Sequence, residues 1–373
     1  MEKIKCSPYQ FFSLMILFQF GTALVVNLGL TAGRDAWMAI LLGTVFGLFI
    51  FWGFSYLYRL FPEMLPTDYN KILLGKVAGT IVSMLYMVFF IYVASRDLRD
   101  GGTLILSSTL RQTPLSVVNA LMILSVAYVL HKGIEVLART ALLFMVLELI
   151  IGLFTLSLLV FSDIIHWERL LPMLEDGFGP VWKAVIQQDY AFPFGEVVCF
   201  ASILPFLSHG KLGIKAGYLS ILIAGLVLSF ISSINIAVLG VDMASRAPLP
   251  LMTTISKASI TEFIQRNDIL VVMTLIIGDF FKVAIYFFAA LIGTSSLSGI
   301  PYRKLIYPVA LIIWGLSLVV AQSMPEHLEE GSKVLYTASP VFFVVFPLLL
   351  FVAGWIYSKR NRGKPQEEES AGD

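Results

Sequence analysis

Long apolar runs, separated by short polar stretches, recur ten times along this chain. They fall near residues 8–30, 36–58, 77–109, 114–131, 135–161, 184–208, 213–240, 269–298, 305–322 and 338–358. Each is close to or above the ~20 residues that a helix needs to cross the hydrocarbon of a bilayer. The pattern admits no soluble solution. The 373 residues are 58% hydrophobic and only 14% charged, whereas soluble domains carry about a quarter charged residues. The runs also far exceed the roughly ten alternating residues of a barrel strand. The sequence therefore predicts an all-α polytopic membrane protein. The third and eighth runs are long enough to require tilt.

Lys and Arg in the connections set the orientation. One set of ends carries Lys3, Lys5, Arg59, Lys71, Lys76, Lys132, Lys211, Lys215, Arg303, Lys304 and Lys359. The other set carries fewer cations, diluted by acids such as Glu326, Glu329 and Glu330. The first set is expected inside, which places both termini in the cytoplasm. Residues 1–7 are too short for a signal peptide, and the following run lacks a small-residue cleavage site, so it reads as the first span. Two outer loops are long, 162–183 and 241–268. The second contains PLPLMTTISKASITEF, whose helical apolar spacing suits a helix lying on the membrane surface.

A net charge of +1 argues against a nucleic-acid partner. Cys6 and Cys199 are far apart, and neither a disulfide framework nor a metal site follows from them. The four histidines sit at loops or span ends. The sequence has no Walker A loop, no GxGxxG after a strand, no HExxH and no nucleophile elbow. Neither an ATP-driven pump nor an intramembrane hydrolase is expected, and no cofactor is implied.

Two spans are interrupted. In the first, YQFFSLMILFQFGTALVVNLG, residues Gln19, Gly21 and Thr22 break the apolar run near mid-depth. In the sixth, AVIQQDYAFPFGEVVCFASILPF, the break falls at Pro193–Glu196. Proline removes a backbone donor and glycine accepts backbone angles that other residues resist. In lipid, such breaks survive only where protein or a wet cavity covers them. The two lie five spans apart, so they point in opposite directions across the bilayer. Paired interruptions of this kind indicate an inverted-repeat fold with a midplane site. A proline kink that only shapes packing is the competing explanation.

Charges within the spans follow the same pairing. The third span carries Arg96, Asp97, Arg99 and Asp100, and the eighth carries Asp279 and Lys282. Arg96 and Asp100, at i,i+4, are neighbours on one face; Asp97 needs a partner on another helix. An ion-pair network locking the bundle accounts for the third-span group. Asp279 and Lys282, at i,i+3, can neutralise each other. Glu196 follows the sixth-span break directly and reads as a partner for a ligand ammonium or as a proton site. Glu148, alone in the fifth span, is either a proton-coupling acid or a partner of Arg139 or Arg96.

The interrupted first and sixth spans, with about ten helices, resemble the amino acid–polyamine–organocation superfamily and its LeuT-type fold. Within it the chain resembles the B subunits of spore germinant receptors, the endospore germination permease family. The stretches that carry this are SPYQFFSLMILFQFGTALV, VASRDLRDGG with LRQTPLSV, RLLPMLEDGFGPVWKA, FPFGEVVCFASILPFL and SLSGIPYRKLIYPVALII. They are spread over most of residues 7–358. The resemblance implies a nutrient-binding role in the spore inner membrane, beside a larger A subunit and a lipoprotein C subunit. It matches Gly21 to the family's first-span glycine, Arg99 to its third-span arginine and Glu196 to its sixth-span acid. The chain departs from the family at Pro193, at FGT in residues 20–22 and at the Asp279/Lys282 pair, and these departures bear on the ligand's identity.

The expected architecture is a five-plus-five inverted repeat: a cytoplasmic N-terminus (1–7), a first repeat (8–161), an outer loop (162–183), a second repeat (184–358) and a disordered cytoplasmic tail (359–373). The expected ligand pocket comprises Gly21, Thr22, Val93, Arg96, Phe194, Gly195, Glu196, Lys282, Val283 and Phe287. Arg99, Asp97, Asp100 and Asp279 form a supporting charge network. Backbone N–H groups near Gly21 and Gly195 are expected to hold the carboxylate of a small nutrient such as an amino acid. The alternatives are a proton-coupled amino acid transporter, an ion or water conduit, and a scaffold for the A subunit.

Overall fold

Ser7 sets the start of the first helix. Its hydroxyl accepts the Gln10 N–H at 3.3 Å, while the Gln10 side chain accepts the Ser7 N–H at 2.8 Å, and Pro8 takes the first helical position. Helix α1 (Pro8–Phe20) then runs for 13 residues and stops at Gly21, whose φ of 21° an ordinary side chain resists. Thirteen residues rise only ~20 Å, short of a full crossing. The chain continues as a single tight turn over Thr22–Leu24.

The computed structural model describes residues 5–26, 28–108, 112–258, 268–321 and 324–361. After the first pass come α2 (Ala36–Leu60), the short α3 (Pro66–Leu74), α4 (Lys76–Ser108), α5 (Leu115–Lys132) and α6 (Ile134–Phe161). The second half holds α7 (Gly179–Ala184), α8 (Gly210–Leu239), α9 (Val241–Arg246), α10 (Pro250–Lys257), α11 (Asp268–Ser298), α12 (Tyr302–Val319), α13 (Met324–Thr337) and α14 (Phe346–Asn361). Among the described residues, eight helices are long and apolar enough to cross a membrane. Together with the interrupted first and sixth passes they make up the ten expected spans. The long third and eighth spans are α4 and α11, which pack against each other along much of their length.

The sixth pass is broken over a wider stretch than Pro193–Glu196. From α7 the backbone loosens into a π turn at Val185–Asp189, turns through residues 190–194, and resumes as tight 3-10 turns at Gly195–Ser202 and Leu204–Phe206. Two causes act together. Pro193 offers no N–H and biases Phe192 away from helical angles. Phe194 is also buried against α2 at Gly43 and Gly47, where an added Cβ would come within 2.9 Å of its side chain. The first break is equally tight, because a Cβ on Gly278 of α11 would lie 2.6 Å from the Gly21 Cα.

The two interrupted passes are tied at one end. Cys6 and Leu207 form an isolated parallel bridge, with Cys6 N–H donating to the Phe206 carbonyl at 2.7 Å and Ser208 N–H to the Cys6 carbonyl at 2.9 Å. Both cysteines are buried and free.

The 250–257 stretch is helical, as its spacing predicts, and α10 turns its apolar face onto the bundle. Leu251 and Ile255 are buried against α8 and α11, and Thr254 donates to Asn235 at 2.8 Å. The rest of that loop, 259–267, and the tail beyond residue 361 lie outside the described residues. Helices α3 and α13 are short and amphipathic.

Candidate functional site

The sixth-span break delivers Glu196 to the centre of the bundle. There it meets Lys282 from the middle of α11, with Nζ 2.8 Å from Glu196 Oε2, and Asp97 from α4, with Oδ1 3.6 Å from the same nitrogen. The Lys282 side chain is fully buried and the two acids are 7% exposed. Aromatic rings close the cation in: Nζ lies 4.1 Å from the Phe192 ring centre and 6.0 Å from that of Phe18. Tyr286, one turn beyond Lys282, packs between Phe18 and Phe90 with its hydroxyl beside Glu196.

Gly21 shapes this centre from the other break. A Cβ there would sit 3.0 Å from Lys282 Cδ, so the glycine makes room for the lysine stem. Asp279 is fully buried one turn from Lys282, yet neither of its carboxyl oxygens has a partner among the described residues. Lys282 therefore does not neutralise Asp279 along the helix; it reaches across to two other elements. Asp97, Glu196 and Asp279 set three acids against one amine in a low-dielectric interior. A buried charge without a partner is costly, so the centre has formal room for another positive group.

A second polar layer lies beside the first along α4. Asp100 Oδ1 is 2.7 Å from His327 Nε2, and Arg96 donates to the His327 carbonyl at 2.9 Å. Gly331 leaves space for the same guanidinium. From the sixth pass, the Tyr190 hydroxyl donates to the Leu335 carbonyl at 3.0 Å. Helix α13 is thus clasped to both α4 and the broken span. Arg96 belongs to this clasp and has no bond to Asp100 despite their i,i+4 spacing. Arg99 points the other way and donates to the Ser317 carbonyl of α12 at 2.9 Å.

The structure brings Gly21, Glu196 and Lys282 together with Asp97. Thr22 follows Gly21 and is buried; Val93, Val283 and Phe287 are buried on α4 and α11. Gly195 faces the Tyr190 carbonyl and Phe343. The Gly21 and Gly195 N–H groups are engaged, donating to Leu17 at 3.1 Å and to Ala191 at 2.9 Å, and so are not free for a carboxylate in this state. Glu148 contacts neither Arg139, which pairs with Glu135, nor Arg96; it faces Thr274 of α11. Sequence reasoning missed Asp189, which is fully buried at the π turn beside Gly43; its signal was an acid within the interrupted stretch. It also missed Phe18, Phe192 and Tyr286, which read as ordinary apolar filling.

The 162–183 loop is fastened at the start of α2. Arg34 reaches Glu175 and the Leu171 carbonyl, both at 2.9 Å, and Asp35 accepts the Leu174 N–H at 3.0 Å.

By backbone geometry the chain is similar to Mhp1, a nucleobase-cation-symport-1 family transporter solved in a closed conformation with bromovinylhydantoin bound. The TM-score is 0.66 at 12% identity, covering 91% of this chain and 78% of that one. This likeness establishes the LeuT-type fold and nothing further. Among curated proteins, Spore germination protein KB of Bacillus subtilis (strain 168) is 39% identical over 99% of this chain and 100% of its own length. Spore germination protein A2 of the same organism is 26% identical over 88% of this chain and 87% of its own length. The sequence profile of the family described as "Spore germination protein" matches residues 5–325. On that match and that identity, the chain belongs to the spore germination protein family of multi-pass, permease-like membrane proteins.

Proposed function

We propose that this chain is the nutrient-binding membrane subunit of a spore germinant receptor. It acts in the spore inner membrane with both termini cytoplasmic, beside an A subunit and a lipoprotein C subunit. Its two repeats, 8–161 and 184–358, enclose a midplane site that takes a small molecule bearing an ammonium, most simply an amino acid. The observation that carries this reading is the centre at the paired breaks: Glu196, Asp97 and Asp279 set against the single amine of Lys282, with Phe192 and Phe18 beside it. Acid and aromatic face are what an ammonium requires, and the centre is short of positive charge. Carboxylate capture falls to backbone N–H groups at the breaks once the bundle shifts. The ligand favours one arrangement of the bundle, and partner subunits read the change.

The test is germination of spores that lack their other germinant receptors and carry this chain with its cognate A and C subunits. A panel of amino acids, sugars and nucleosides is scored, with Glu196→Gln in parallel. A nutrient that triggers germination, with its concentration dependence shifted by the variant, supports the reading. A variant that responds identically removes Glu196 from the site.

A proton-coupled amino acid transporter is the second reading, favoured by the transporter fold and the buried acids. Uptake into liposomes separates the two, since a transporter turns over and a receptor need not.

A further inference from the structure

A cavity separate from the charged centre lies between α1, α6, α8, α10 and α11. It measures about 480 Å³, within the roughly 300–1,000 Å³ typical of small-molecule sites. Its walls are aliphatic and aromatic, including Ile16, Phe20, Leu153, Val227 and Phe230. Leu149, Leu153 and Phe230 are exposed on the lipid-facing surface, so the cavity is reached sideways from the bilayer.

One acid stands in this apolar wall. Glu148, near the middle of α6, is 8% exposed. Thr274 hydrogen-bonds its carboxyl, but Oε1 has no partner, and no cation pairs with it among the described residues. Gly152, one turn further on, also lines the cavity, and a Cβ there would meet nothing within 4 Å. An unpartnered carboxyl oxygen facing an apolar cavity at mid-membrane needs an occupant with a donor.

We propose that this cavity is a binding site for a medium-chain primary alkylammonium amphiphile that partitions in from the bilayer. The ammonium meets Glu148 and the alkyl chain lies along the α6 and α8 walls. Charge complementarity selects this occupant. A lipid acyl chain fills the walls but brings no donor to Glu148. A fatty acid sets carboxylate against carboxylate. An alcohol supplies a donor without the charge, and charge-assisted bonds are roughly twice as strong. The site also has a route to the centre. Helix α1 presents Phe12, Ile16 and Phe20 to the cavity, Phe18 to Lys282, and ends at Gly21 against the Lys282 stem. An occupant therefore bears on the helix that shapes the charged centre.

The test uses the full-length protein in lipid nanodiscs and isotope-labelled decylamine, counted against protein-free nanodiscs. Saturable binding is expected, and unlabelled decanol or decanoate should compete at least roughly ten-fold less well than decylamine. Glu148→Gln should weaken binding by a similar factor. Gly152→Leu, which fills open space, should abolish it while leaving thermal unfolding near the parent's. Binding that does not saturate, competition by decanol or decanoate equal to that by decylamine, or binding at the parent's affinity in either variant overturns the proposal. If Glu148→Gln fails to accumulate, Gly152→Leu and the competition series decide.

Discussion

Lys282 Nζ lies 2.8 Å from Glu196 Oε2, and this one contact joins the middle of α11 to the break in the sixth pass. Both side chains are buried from bulk solvent. Removing the lysine strands Glu196 and Asp97, while removing both members of the 2.8 Å contact strands Asp97 alone. Lys282→Met should therefore cost roughly 3–5 kcal/mol of stability, read as a lower unfolding midpoint of the purified protein. Adding Glu196→Gln to that variant should recover part of the loss, because partners in one network are non-additive. Strictly additive losses would mean that the two side chains do not hold each other.

Gly21 tests the other break. Its positive φ and the 3.0 Å approach of Lys282 Cδ to an added Cβ leave little room for a side chain. Gly21→Ala should displace the lysine stem and raise the nutrient concentration needed for half-maximal germination. Gly21→Leu should abolish the response although the protein still accumulates in the spore membrane. A normal response from the leucine variant would remove this break from the ligand site.

The ten passes and both interruptions were legible because each is a local signal: apolar length for the spans, and Gly or Pro in mid-run for the breaks. Partnerships were less so. Asp279 and Lys282 sit at self-neutralising spacing, yet the lysine crosses to Glu196 and Asp97, a choice fixed by how closely α11 approaches the two breaks. Arg96 and Asp100 were legible as neighbours, but both turn to His327, on a helix that hydropathy could not distinguish from a polar loop. Phe192 and Phe18 carry no mark in a sequence this rich in aromatics; only the position of Nζ above their rings singles them out.

Helix α13 is tied to α4 at His327, whose imidazole meets Asp100 and whose carbonyl accepts from Arg96. Loss of the imidazole frees Asp100 and loosens the Arg96 contact. His327→Ala should therefore open α13 locally without unfolding the bundle. Limited proteolysis at α13 should speed up several-fold, while the global unfolding midpoint moves little. Tyr190→Phe, which removes a single hydrogen bond to Leu335, should have the smaller effect, about 1 kcal/mol. Unchanged cleavage in both variants would mean that packing, not the clasp, holds the helix.

Asp279 separates stability from function. Its carboxyl is fully buried, neither oxygen has a partner among the described residues, and Gly101 leaves just enough space for it against α4. A carboxyl held this way is a standing cost, met either by carrying an unpaired charge or by taking up a proton, whereas the amide of asparagine has the same shape and never a charge. Asp279→Asn should thus leave stability unchanged or raise it by about 1–2 kcal/mol, the reverse of the Lys282→Met outcome. It also lessens the shortage of positive charge at the centre. If that shortage is what admits a cationic ligand, the variant should require a several-fold higher nutrient concentration despite its sounder fold. A less stable Asp279→Asn protein would show that the carboxylate has a structural partner. A stable variant with an unaltered response would place the ligand's ammonium away from this acid, leaving Glu196 and Asp97 to receive it.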